Sequence, residues 1–190
     1  MRYFISISII FLLSGCDVFT TRSPEEPTLN RSSFTPATDP EILFSNLTSS
    51  FEEKIVENYT ACFIDPLYTE SKFNFIPSAG AVTYPVNWEE WNVRSEEQYF
   101  RKMISEVIED SRIILDLQVK IASPRGDSAN YQMDYTISLE PKSETLQSNY
   151  EGSLELKIIR DERNQWVIAE WRDFQKESIP SWSDLKGITY

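Results

Sequence analysis

The sequence predicts an α+β domain in which helices pack on one face of a curved antiparallel sheet of four to six strands. Three observations carry that expectation. Leu43, Leu47, Phe51, Ile55 and Tyr59 recur every four residues, which lines them along one helix face. Residues 95–108 open with a capping signature and place apolar pairs on one side. From residue 113 to 174 the period drops to two, so each segment has one apolar and one polar face, the mark of an antiparallel sheet wet on one side. Helices that precede the strands, rather than alternate with them, give the α+β order.

The elements follow in turn. Asp39-Pro40 reads as an N-cap with proline at the first helical position and Glu41 in the first turn. Glu52, Glu53 and Lys54 fall off the apolar stripe. The helix, with a break, runs to about residue 63 and stops before Asp65-Pro66. Cys62, three residues after Tyr59, sits on the stripe as a small buried hydrophobe. Residues 72–76 (KFNFI) alternate and predict a short strand. Residues 77–94 are irregular. Ser95-Glu96-Glu97-Gln98 reads as a capping box that opens the next helix.

Ile113, Leu115, Leu117, Val119 and Ile121 then share one face of a strand, and Pro124-Arg125-Gly126-Asp127 turns the chain. Tyr131, Met133, Tyr135, Ile137 and Leu139 form the second apolar face, and Leu154, Leu156 and Ile158 the third. Asp161-Glu162-Arg163-Asn164 is a polar hairpin turn. The last strand runs from residue 166 to 174. Strict alternation groups Glu170 and Arg172 with Trp166 and Ile168; a bulge near Ala169 turns Trp171 and Asp173 inward instead. The tail at 178–187 is too apolar for a free end, and Trp182 and Leu185 are expected to dock on the domain.

The chain has 190 residues, 41% hydrophobic and 25% charged, with a formal charge of −12. That length holds one domain with a real core plus an appendage. The acidic balance excludes a nucleic-acid partner, whose phosphates need a basic face. The absence of His excludes Ser-His-Asp and Cys-His catalysis and His-ligated zinc. The five glycines are too scattered for a phosphate-binding loop. The carboxylates at Glu89-Glu90 and Glu96-Glu97 lack the spacing of a calcium loop and read as a solvated face. No metal and no cofactor are expected.

Residues 1–15 read as a signal peptide: Arg2 is the charged start, the apolar run from Tyr3 to Leu13 follows, and Ser14-Gly15 are small. The eleven residues of that run span roughly 17 Å as a helix, too short for a hydrocarbon core of ~30 Å. Leu13-Ser14-Gly15-Cys16 resembles the lipobox of bacterial lipoproteins. That resemblance implies cleavage before Cys16 and a lipid on its thiol, so that the protein is anchored in the bacterial cell envelope and faces the periplasm or exterior. Loss of residues 1–15 removes Arg2 and moves the formal charge from −12 to −13. The lipid, not charge, must then hold the chain at an anionic membrane. Residues 16–38, with three prolines and many Ser and Thr, are expected to be a disordered tether; the domain occupies 39–190.

The element order resembles the nuclear-transport-factor-2-like superfamily, the cone-shaped fold of ketosteroid isomerases and polyketide cyclases. The resemblance covers residues 39–176. The strand Trp166-x-Ile168-x-x-Trp171-x-Asp173, followed by Trp182-Ser183-Asp184-Leu185-Lys186, is similar to bacterial lipoproteins of unknown role. The fold would place a second strand near 81–85, where Ala81-Val82-Thr83-Tyr84 is a weak candidate. It implies a pocket between helices and sheet, with Trp88, Trp91, Tyr99, Tyr135, Glu170, Trp171 and Asp173 as candidate lining. The same aromatics would serve equally as core. The fold sets no activity. Three roles stay open: a non-catalytic domain that binds an apolar small ligand or a partner, a homodimeric scaffold that pairs through the outer sheet face, and an isomerase, cyclase or dehydratase.

Overall fold

Helix α1 (Pro40–Glu53) starts where Asp39 caps it: the Asp39 side chain accepts the Ile42 N–H at 3.0 Å, and proline occupies the first turn. Its stripe of Leu43, Leu47 and Phe51 is buried. The computed structural model describes residues 32–190, which form one compact unit; Cys16, the leader and most of the expected tether lie outside the described residues. The segment just before α1 is held rather than free. Asn46 exchanges two hydrogen bonds with Thr35, and Ala37 is buried with its carbonyl on Trp166 N–H.

The break in the first helix falls at Lys54, in the left-handed region at φ 57°. Its ammonium donates to the carbonyls of Ile108 and Glu109 across the domain. Helix α2 (Val56–Thr60) follows and buries Tyr59. Just past its end, Cys62 is buried with Sγ against Asn58 O, and burial pushes its thiol far above the usual range. Cys62 should therefore resist aromatic disulfide reagents in the folded state and react at once in denaturant. Fast native labelling at Cys62, located by peptide mapping, would contradict its placement.

Strand β1 (Asn74–Ile76) corrects the expectation of a purely antiparallel sheet. It pairs parallel to the last strand, Phe75 opposite Trp171. The weak strand near 81–85 is absent from the described structure; residues Ala79–Thr83 form a 3₁₀ turn, and Ser78 N–H bonds to the Ser183 side chain instead of to a sheet neighbour. Helix α3 (Val93–Glu106) starts earlier than the Ser95 box implies and ends two residues short of 108. Asn92 is its cap: its side chain accepts from Arg94 N–H and Ser95 N–H, and Ser95 plays the reciprocal partner.

Four long strands complete the sheet: β2 (Ile114–Arg125), β3 (Ser128–Ser138), β4 (Asn149–Arg160) and β5 (Trp166–Gln175), in the order β1-β5-β4-β3-β2. The turn after β2 is tighter than predicted, because Pro124 and Arg125 extend the edge strand and Gly126 alone takes φ 61°. A bulge after Val119 sets Ile121 opposite the exposed Gln132, so Ile121 leaves the apolar face on which alternation placed it. On β5 the register shifts between Ile168 and Glu170, opposite Ile158 and Lys157. Ala169 is the extra residue. Trp171 and Asp173 consequently face the helices, and Glu170 and Arg172 face out.

Candidate functional site

The interior between helices and sheet is filled by the chain's own last element, helix α4 (Trp182–Thr189). Ser181 caps it through a capping box with Asp184. Trp182 is fully buried, edge-on to Trp171 at 4.4 Å, Tyr135 at 5.3 Å and Phe51 at 5.4 Å between ring centroids. Its Nε1 donates to Tyr99 Oη at 2.8 Å, and its backbone N–H donates to Tyr135 Oη at 2.6 Å. Glycines admit this close packing. A Cβ at Gly187 would lie 2.5 Å from the Tyr84 ring, and one at Gly152 would collide with the Tyr135 hydroxyl.

Asp173 anchors the helix start. It accepts from Ser183 N–H at 2.8 Å, from Ser183 Oγ at 2.5 Å and from Tyr135 Oη at 2.8 Å. Burial raises the Asp173 carboxyl above the usual carboxylate range, and the Ser183 and Tyr135 bonds pull it back. One turn further on, Lys186 is 0% exposed and donates to Glu96 Oε1 at 2.5 Å; Glu96 is also 0% exposed. Trp91 Nε1 and Tyr59 Oη supply two further donors to Glu96, at 2.7 and 2.8 Å. Burial lowers the Lys186 ammonium below the usual lysine range, and Glu96 opposes that shift. Trp171 Nε1 is a buried donor with no hydrogen-bond partner among the described residues.

Burial lifts the phenols of Tyr59, Tyr99 and Tyr135 well above the tyrosine range and Tyr150 up to about 12. The sign follows from proton counting. Above pH 10 the unfolded chain loses these protons while the folded chain keeps them, so the stability they contribute is present below pH 10 and lost as pH rises beyond it. Lys186 acts the other way between its lowered value and the usual lysine value of 10.5, because there the unfolded chain binds the extra proton. Several phenols outweigh one amine, so the domain should unfold cooperatively in alkali. The buried phenolates should appear in the ultraviolet spectrum only with that transition. A phenolate signal that reached the full tyrosine count while the protein was still folded would disprove this packing.

The sequence-predicted lining separates into three groups. Trp91, Tyr99, Tyr135, Trp171 and Asp173 converge on α4. Trp88 stays half-buried at the edge, beside Trp91 at 5.0 Å, with Nε1 on Ala81 O. Glu170 lies on the outer face opposite Lys157, a correction to its place among the lining residues. Glu96, read as solvated, is instead buried. Lys186 and Phe75 complete the arrangement and were missed. A signal existed for Glu96: it stands three and four residues before Tyr99 and Phe100, on the apolar face of α3. Among the described residues no cluster of acids, Cys or His could hold a metal ion.

Outside the plugged interior lies an open groove of about 700 Å³. Ile64, Phe73, Trp91 and Val93 line it, with Glu89 and Arg94 also at its wall. Trp91 therefore separates the groove from Glu96, to which its Nε1 donates.

No family model matches the chain, and no curated protein matches it. Solved structures do. A candidate aromatic ring hydroxylase from Novosphingobium aromaticivorans superposes with a TM-score of 0.56 at 10% identity, covering 77% of this chain and 92% of the other. A ketosteroid isomerase-like protein from Erwinia carotovora atroseptica gives 0.51 at 9% identity, over 72% and 93%. A nuclear transport factor 2-like superfamily protein from Salmonella enterica serovar Typhimurium gives 0.50 at 13% identity, over 73% and 87%. At these identities the likeness is one of fold: the domain has the nuclear transport factor 2-like architecture.

Proposed function

We propose that the chain is a lipoprotein of the bacterial envelope, anchored through Cys16, whose domain binds an apolar small ligand in the groove beside Trp91 and catalyses no reaction. One observation carries the reading: the interior acids are spent on the chain's own helix, while an apolar groove stays open. A general base must reach its substrate. Asp173 and Glu96 meet Ser183, Tyr135 and Lys186 instead. The groove offers rings and aliphatic side chains with charged groups at its wall, the usual make-up of a small-molecule site. Among the described residues no helix is long and apolar enough to cross a membrane; the attachment in this reading is the lipid on Cys16. Pairing through the outer sheet face would cover the exposed Ile114, Ile121 and Phe174 but would also bury Lys120, Asp134, Lys157 and Arg172, whose desolvation opposes it.

The test is native mass spectrometry of the purified chain. A reproducible added mass of small-molecule size is expected, and Val93→Asp should remove it. An aspartate in the first turn of α3 suits the helix dipole, so that variant should stay folded while its groove becomes charged. A clean apo mass in both proteins would overturn ligand binding. Separately, Cys16→Ser should move the protein from the membrane fraction to the soluble one; unchanged partition would overturn the anchor.

A further inference from the structure

Five rings surround the Lys186 ammonium. Its Nζ lies 3.7 Å from the Phe75 ring centroid, 4.0 Å from Trp171, 5.6 Å from Trp91 and Tyr99, and 6.0 Å from Trp182. Ring faces are electron-rich, and a cation desolvated among them is held by their quadrupoles. Glu96 supplies the counter-charge at 2.5 Å, and its carboxylate is fixed in place by Trp91 Nε1 and Tyr59 Oη. Four of the five rings and the counter-charge come from other parts of the chain than the occupant; Trp182, the most distant ring, shares α4 with Lys186. Phe75, Trp91, Tyr99, Trp171 and Glu96 belong to the frame of sheet, α3 and the turn before it. The ammonium arrives on α4, the last element.

The chemistry exceeds what packing needs. A tail that only closed the interior would do so at least as well with Met or Leu, since apolar replacements of buried ion pairs are often neutral or stabilising. The occupant is also separable. Helix α4 has eight residues, too few to stay helical unsupported, and it joins the sheet through the exposed residues 175–178. We propose that this cage is a binding site for a primary alkylammonium ligand, occupied in cis by Lys186, and that the ligand and the Lys186 ammonium exclude each other from it. The site lies on the other side of Trp91 from the outer groove and shares only that wall with it, so ligand binding in one does not require ligand binding in the other.

The experiment uses the full chain carrying Lys186→Ala, with n-propylammonium as probe and n-propanol as its neutral isostere. The amine replaces the atoms that the substitution removes. It should raise the melting temperature of Lys186→Ala saturably, the alcohol should not, and Glu96→Gln in the same background should abolish the rescue. In the unsubstituted chain the amine should speed cleavage at Glu177 by a glutamate-specific protease several-fold, because loosening α4 frees the already exposed linker from its turn at Glu177 (φ 49°) to take the extended form a protease binds, while the alcohol leaves cleavage unchanged. Equal rescue by amine and alcohol would mean an apolar hole and overturn the proposal. So would no rescue, or cleavage of the unsubstituted chain that ignores the amine. If Lys186→Ala does not fold, the cleavage experiment alone decides in the same two directions.

Discussion

Glu96→Gln should cost the domain about 3–5 kcal/mol, and Lys186→Met added to it should restore most of the loss. The single substitution keeps the shape of the side chain but leaves a lysine at 0% exposure without its counter-charge. Such a lysine must either stay charged in a low-dielectric interior or give up its proton, and both are unfavourable near neutral pH. The double variant buries a thioether and an amide in its place. The rings at 3.7 and 4.0 Å accept sulfur well; the amide oxygen of the glutamine can still accept from Trp91 Nε1, and its NH2, in the place of the oxygen that faces Tyr59, can donate to the Tyr59 hydroxyl instead. Chemical denaturation of the three proteins at one pH measures both steps. A single-variant loss under about 1 kcal/mol, the range of an exposed pair, would show that Lys186 reaches water. A solvated pair of that kind exists elsewhere on α3: Arg101 and Glu97 sit four residues apart at 2.8 Å and are largely exposed, so Glu97→Gln should scarcely register.

The contrast between Glu96 and Glu97 also marks how far the chain can be read without its structure. What depends on neighbours in sequence was legible. Asp39-Pro40 announces α1 and the period-two runs announce β2 to β5; which face Trp171 and Asp173 take stayed open between strict alternation and a bulge, and the extra residue at Ala169 decides it in the structure. What depends on distant partners was not. The Asn92 cap outcompeted the Ser95 box because an extended residue with a short carbonyl side chain satisfied two amides that Ser95 could not reach from inside the helix. β1 found its parallel neighbour almost a hundred residues later in the chain, beyond any local pattern. Glu96 and Lys186 are separated by 90 positions, and neither carries a local sign of the other. The aromatic residues were legible as a group destined for one interior. That a helix of the same chain fills that interior required the tail's docking geometry, of which Trp182 and Leu185 gave only the apolar half.

Trp182 is where that docking is strongest, and Trp182→Ala should cost about 3–5 kcal/mol, the range for deleting a large aromatic from a closed interior. The indole touches Phe51, Tyr135 and Trp171, rings from α1, β3 and β5, so its removal opens a hole that no single neighbour can fill. It also strips the Tyr99 hydroxyl of its 2.8 Å donor. Trp182→Phe separates the two contributions. A phenyl ring keeps most of the contact and loses the Nε1 bond, so its cost should be nearer 1 kcal/mol. The backbone bond from residue 182 to Tyr135 survives in both variants. With a total stability of order 5–15 kcal/mol, the alanine variant should still fold, but its C-terminal helix should release first. Denaturant midpoints give the global losses, and amide exchange along residues 182–189 shows whether that helix opens ahead of the sheet. If Trp182→Ala behaved like a surface change, within about 0.5 kcal/mol, the tail would not be plugging the interior at all. Both the ammonium cage and the reading of Asp173 as an anchor for α4 would fall with it.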